Sequence, residues 1–164
     1  MHKILELLPT YSSQEWPEYS VKILKANRLF DGPPNVENAI KEALSVLTDP
    51  KFSYIFAKDV LSEVPFSAQL PNLKNKKIYG IIDRLIVGSN NVQIIDFKTN
   101  STVPKTANKI PLGILRQMSA YKLAIEEIYP GKEVSCYILW TAIKKIDHLE
   151  EDLLDYDNLD ASTS

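Results

Sequence analysis

The apolar positions of this 164-residue chain change their period along its length, and each change marks a different kind of element. Residues 3–8 predict the end of a short amphipathic helix, stopped before Pro9. Ser12-Ser-Gln-Glu15 has the spacing of a capping box and predicts a helix running toward Asn27, with Pro17 in or near its first turn. Asp31-Gly-Pro-Pro34 is a break, after which Asn35 is placed to cap a helix Val36–Leu47. On that helix Val36, Ala39, Ile40, Ala43, Leu44 and Leu47 recur at helical spacing. From Phe52 the pattern changes. Tyr54–Ala57 and Val60–Gln69 are rich in β-branched and aromatic residues and are expected to be extended, with Glu63 interrupting the second run. Ile78–Val87 and Val92–Lys98 predict a hairpin around Gly88-Ser-Asn-Asn91. After a polar loop, Thr99–Lys109, Pro111 suits the first turn of a helix reaching about Ile128, which Pro130-Gly131 ends. Glu133–Ile143 has the apolar density of a buried strand. Helices, a strand meander, a long helix and a last strand make an α/β arrangement with a mixed sheet, the last strand returning beside the hairpin.

Composition narrows the picture only a little. The hydrophobic share of 45% and the charged share of 24% are ordinary for a globular domain, and the length suits one domain. A core domain over residues 1–148 followed by an acidic, polar tail over 149–164, disordered at its end, is the expectation. The net charge of −2 gives no global attraction to nucleic acid, so any such binding needs a local basic surface or a bound cation. The single cysteine, Cys136, excludes an intrachain disulfide and an iron–sulfur cluster held by this chain's own thiolates; a small buried hydrophobe is its expected role. No stretch approaches the roughly 18 apolar residues of a membrane span. The opening residues, with Glu6 inside their apolar stretch and no small-residue cleavage site, make a poor signal peptide. A cytoplasmic location with no membrane partner is expected.

The hairpin carries the chemistry. Its two apolar strands each hold an aspartate, Asp83 and Asp96, and Lys98 follows two positions after the second. Strand side chains alternate, so Asp96 and Lys98 share a face and Phe97 takes the other. Buried charges of this kind need a partner or a metal. One reading is a buried Asp–Lys pair with Asp83 capping a turn. The other, favoured by the second aspartate one strand earlier, is a carboxylate site for Mg²⁺ or Mn²⁺ at which Lys98 orients a water or offsets phosphate charge. Gln117 and Tyr121 are one helical turn apart and can support the lysine or be surface and core-edge residues. Glu63 is either an outer-shell metal acid or an exposed edge residue. Lys105, Lys109 and Arg116 are candidate contacts to DNA phosphates or simply solvated.

Taken together, these residues resemble the PD-(D/E)XK nuclease superfamily, whose core is an acid on one strand and acid-x-Lys on the next. The flanking motifs are similar to the C-terminal nuclease domain of AddA/RecB-like helicase–nucleases: His2-Lys-Ile-Leu-Glu-Leu-Leu-Pro9, Glu63-Val-Pro-Phe66, Gly80-Ile-Ile-Asp83-Arg84, Asp96-Phe-Lys-Thr99, Gln117-Met-Ser-Ala-Tyr121 and Leu139-Trp-Thr141. The resemblance implies a restriction-endonuclease-like core, a mixed central sheet flanked by helices. It implies a metal held by His2, Asp83, Asp96 and the Phe97 carbonyl, Lys98 as catalytic lysine, and Gln117 and Tyr121 in support. The implied reaction is Mg²⁺-dependent hydrolysis of DNA, by an exonuclease acting in double-strand break repair and recombination. Two features depart from the pattern. No Walker-type helicase motif is present, and His2 lacks a preceding helical turn, so its helix is expected to fray. A separately encoded nuclease domain or the remnant of a split gene is implied, with a separate helicase or AddB-like subunit as partner. Absence of cluster cysteines argues against the AddB-like and CRISPR-adaptation branches. A non-catalytic module that binds DNA or docks to a helicase subunit is the alternative of a different class; a restriction-type or junction-resolving enzyme is disfavoured by the Gln-x-x-x-Tyr helix.

Overall fold

Five strands hydrogen-bond in sequence order in the computed structural model, which describes residues 1–26, 33–70, 76–99 and 102–154. They are β1 (Leu61–Leu70), β2 (Lys76–Val87), β3 (Asn91–Lys98), β4 (Glu133–Trp140) and β5 (Lys145–Leu149). β3 and β4 run parallel and the other neighbours antiparallel, so the sheet is mixed. The parallel pair needs a crossover, and α4 (Leu112–Ile128) supplies it. Helices α1 (His2–Leu7), α2 (Trp16–Ala26) and α3 (Pro33–Leu47) cover the opposite face.

Side-chain alternation in β3 divides the interior into two cores. Val92 and Ile94 face α4, packing with Ile82, Met118, Ala124 and Ile138. Ile95 and Phe97 face the other way, into a core with Ile4, Leu5, Leu24, Val46 and Phe52. β3 is thus covered on both sides, which fits its apolar run. Cys136 is fully buried in the α4-side core, and burial pushes its thiol up to about 12, so it packs as a hydrophobe. No helix among the described residues is long and apolar enough to cross a membrane.

Four local expectations are corrected. Residues Pro50–Phe56, expected in part to be extended, form a 3-10 helix. Asp49 accepts the Lys51 amide, and Phe52 and Ile55, three apart, fall on one side and are both fully buried. The Ser12 capping box makes no side-chain cap: Ser13–Glu15 form a 3-10 turn, and α2 begins at Trp16 with Pro17 in its first turn. Asn35 lies inside α3 rather than capping it, because Pro33 and Pro34 themselves occupy the first turn, where a missing N–H costs nothing. The late strand ends at Trp140, turns through Thr141–Ile143 with Lys144 left-handed, and returns as β5, which the apolar pattern did not announce. Asn27, the Asp31-Gly32 break, Asn100, Ser101 and the tail from Asp155 lie outside the described residues.

Candidate active site

β2 and β3 pair from Val87↔Val92 as far as Arg84↔Ile95, and there the ladder stops. The next residue of β2 is Asp83, whose side chain takes over: Oδ2 accepts the Phe97 amide at 2.6 Å. The β1–β2 register is interrupted at the same level, passing from Ser62↔Arg84 to Val64↔Ile82 without pairing Glu63. Glu63 is left-handed, with φ of 48°, a conformation non-glycine residues seldom adopt without a local reason. The sheet is therefore opened around Asp83, and acids stand round the opening.

One group forms on the α1 side. His2 Nδ1 lies 3.3 Å from Asp83 Oδ1, and one ligand atom each from His2, Glu63 and Asp83 fall within 4.8 Å of one another. The hydrogen bond to Asp83 raises the affinity of His2 for a proton against the opposing effect of burial. Burial, reinforced by the charges of Glu6 and Asp83, pushes the Glu63 carboxyl up. His2 is delivered by a helix of six residues, too short to persist alone. Packing holds it: Ile4 and Leu5 are fully buried, and the Arg84 guanidinium donates from Nη2 to the Leu5 carbonyl at 2.6 Å while lying over the Phe56 ring. The expected fraying is therefore opposed by tertiary contacts.

A second group faces α4. Asp96, 4% exposed, lies with Oδ2 2.7 Å from Lys98 Nζ. Lys98 donates to Gln117 Oε1 at 3.0 Å; Gln117 Nε2 donates to the Tyr121 oxygen at 2.8 Å and reaches Asp96 Oδ1 at 3.4 Å; the Tyr121 hydroxyl donates to the Ile81 carbonyl at 3.0 Å. Burial pushes the Asp96 carboxyl up, against the pull of Lys98. Although Lys98 is close to Asp96 Oδ2, its approach is outside hydrogen-bond geometry, and that buried oxygen has no hydrogen-bond partner among the described residues. A buried carboxylate oxygen held by the Lys98 ion pair, beside crowded carboxylates and an imidazole, fits a hard or borderline divalent cation. Asp83 joins the two groups through the Phe97 amide.

The family model of the PD-(D/E)XK nuclease superfamily matches residues 2–159. The chain belongs to that superfamily. Its mixed five-stranded sheet flanked by helices is the restriction-endonuclease-like arrangement. Among curated proteins none matches. One of 12 matching chains of solved structures, "Crystal structure of SSO0001", is 16% identical, with 99% of this chain and 73% of that one covered; its TM-score of 0.40 is too low to add to the fold or the function.

Of the superfamily positions named from sequence, His2, Glu63 and Asp83 come together, as do Asp96, Lys98, Gln117 and Tyr121. Phe97 turns its ring into the α1-side core and pairs with Leu139 of β4. Lys105 and Lys109 are exposed and Arg116 is half-buried on α4, and among the described residues no ion pair ties them to the site acids. Three residues that were given no role from sequence act as positioning residues. Arg84 fixes α1, and a charged residue in an apolar strand was a visible signal for it. The buried Thr141 hydroxyl bonds Glu42 of α3 and lies 3.2 Å from the Lys98 carbonyl, holding the end of β3. Nothing local marks Glu42, which is 99 positions from Thr141.

Gly80 has a packing reason to lack a side chain. A Cβ there would lie 2.6 Å from the Phe66 ring and 2.8 Å from the Tyr121 ring. Gly80→Ala is expected to destabilise the fold by about 1–3 kcal/mol through overpacking. It should also displace Tyr121 from Gln117, so activity should fall more than the lost stability explains. Denaturant unfolding together with cleavage at low temperature checks both parts.

Proposed function

We propose that this chain is a metal-dependent deoxyribonuclease, hydrolysing phosphodiester bonds with Mg²⁺ or Mn²⁺. The observation that carries the reading is the opened sheet at Asp83, with His2 and Glu63 on one side and Asp96, Lys98 and Gln117 on the other. His2, Asp83 and Asp96 would hold the ion, the Phe97 carbonyl adding a backbone oxygen and Glu63 standing in the outer shell. A bound ion supplies neutralisation of phosphate charge and a water of lowered pKa. Lys98, steadied by Gln117, has its ammonium beside the carboxylate cluster, where it orients the attacking water and offsets the charge that grows on the phosphate oxygens. Tyr121 holds Gln117, so its part is positioning. Lys105, Lys109 and Arg116 are assigned to backbone phosphates of the DNA.

The motif order from His2 to Thr141 supports an AddA/RecB-like assignment within the superfamily, and with it exonuclease action in double-strand break repair alongside a separate helicase or AddB-like subunit. The test is incubation of the purified chain with linear and circular DNA in Mg²⁺, in Mn²⁺ and with EDTA added. Loss of linear DNA with circular DNA spared, stopped by EDTA, is the expected result. Cleavage insensitive to EDTA, or none in either metal, overturns the reading.

A further inference from the structure

Leading into Asp83, β2 carries a row of exposed side chains that the catalytic reading leaves unused. Ile78 and Ile82 belong to the α4-side core, and a side chain at Gly80 would point there. By strand alternation Lys77, Tyr79 and Ile81 take the other face, the one on which α1 brings His2 to Asp83. They are not covered: Tyr79 is 70% exposed and Ile81 53%, and Lys77 is exposed as well. Ser67 and Pro65 of edge strand β1 lie opposite Tyr79 and Ile81, both exposed, so the strip continues across two strands. An aromatic and an aliphatic side chain open to water in this way mark a contact surface.

We propose that the row Lys77–Tyr79–Ile81 is a track that lays an unpaired DNA strand toward Asp83, with a base stacked on Tyr79. The inference rests on the nuclease reading and gives its site a substrate class. Continuity decides the occupant: the row runs along one strand straight into the acid cluster, so whatever lies on it reaches the site. Same-face residues of a strand are about 6.6 Å apart, which puts Tyr79 about 13 Å from Asp83, the reach of a couple of nucleotides of an extended strand. A cation followed by an aromatic platform is the arrangement that holds single strands, the ammonium meeting the backbone and the ring taking a base face. Duplex DNA keeps its base faces inside the stack and offers Tyr79 nothing to stack on. A protein seated here would close the approach to Asp83.

The experiment measures binding in EDTA, where no hydrolysis occurs, using a fluorescent single-stranded oligonucleotide and the same sequence as duplex. Tyr79→Ala is expected to weaken single-strand binding about 5- to 150-fold, to leave duplex binding unchanged and to be rescued by Tyr79→Phe. Hydrolysis of bis(p-nitrophenyl) phosphate in Mn²⁺, which is too small to reach the row, should be the same for Tyr79→Ala as for the unsubstituted chain. Unaltered single-strand binding, an equal loss for duplex, or a dimer that Tyr79→Ala dissociates in sedimentation would overturn the track. Failure of the unsubstituted chain to hydrolyse the small ester overturns the nuclease reading alone, since the track is decided by the binding arm.

Discussion

Asp96→Ala is expected to reduce metal-dependent DNA cleavage to background while changing thermal stability in EDTA little. The two effects separate because the Asp96 carboxyl is pushed up by burial. A folded-state pKa above the unfolded value makes a contribution that is present at low pH and lost as pH rises through the folded pKa, so at neutral pH the ionised group weighs against the fold. Removing it relieves that cost, which offsets the loss of the ion pair to Lys98, whose ammonium keeps its bond to Gln117 Oε1. Asp83→Ala should abolish cleavage equally but at a structural cost, because Asp83 Oδ2 is the acceptor for the Phe97 amide. Stranding that amide costs about 1–3 kcal/mol, or roughly 2–12 °C in Tm for a domain of this size. Asp83→Asn, which retains an acceptor, should recover most of the stability and none of the activity. Gel-based cleavage with melting curves in EDTA reads both quantities. Cleavage at the unsubstituted rate by any of these variants would remove the aspartates from the site.

Lys98→Ala is expected to behave in the opposite manner toward the ion. The lysine contributes no ligand atom, and its ammonium 2.7 Å from Asp96 Oδ2 competes with a cation for that oxygen. Mn²⁺ binding by calorimetry should therefore persist or tighten, while cleavage falls by about 10²–10³ through loss of transition-state charge stabilisation. Gln117→Ala should reproduce part of the loss, since it frees Lys98 from its hydrogen bond without deleting its charge. If metal binding disappears together with activity in Lys98→Ala, the division of labour between Asp96 and Lys98 is wrong.

These expectations draw on two kinds of information. The period-2 pattern of β3 already put Asp96 and Lys98 opposite Phe97, and the structure has them facing α4 with Phe97 in the other core. The helix bounded by Pro111 and Pro130-Gly131 is α4, with Gln117 and Tyr121 one turn apart and hydrogen-bonded. The hairpin around Gly88–Asn91 was legible for the same reason, and the return of β4 beside it from the order of the elements, whereas its parallel pairing with β3 came from the structure. Less was legible around Phe52: two apolar residues three apart read equally well as part of an extended run, and Asp49 and Pro50 decided for a 3-10 turn. β5 was missed because its burial is incomplete and its apolar alternation short.

The chain by itself determined which face Asp96, Lys98, Gln117 and Tyr121 take on their own strand or helix, because alternation and helical pitch follow from backbone geometry a few residues long. It also determined the order of the layers, since a hairpin, a long helix and an apolar strand admit few connections. Only the tertiary structure decided which faces meet. His2 reaches Asp83 because Arg84 clasps the Leu5 carbonyl across 79 positions and the α1-side core closes beneath it. Glu63 joins the same cluster because a left-handed residue breaks the alternation that would otherwise govern it. Such placements depend on long-range packing and on one strained residue, and neither leaves a periodic trace in the sequence.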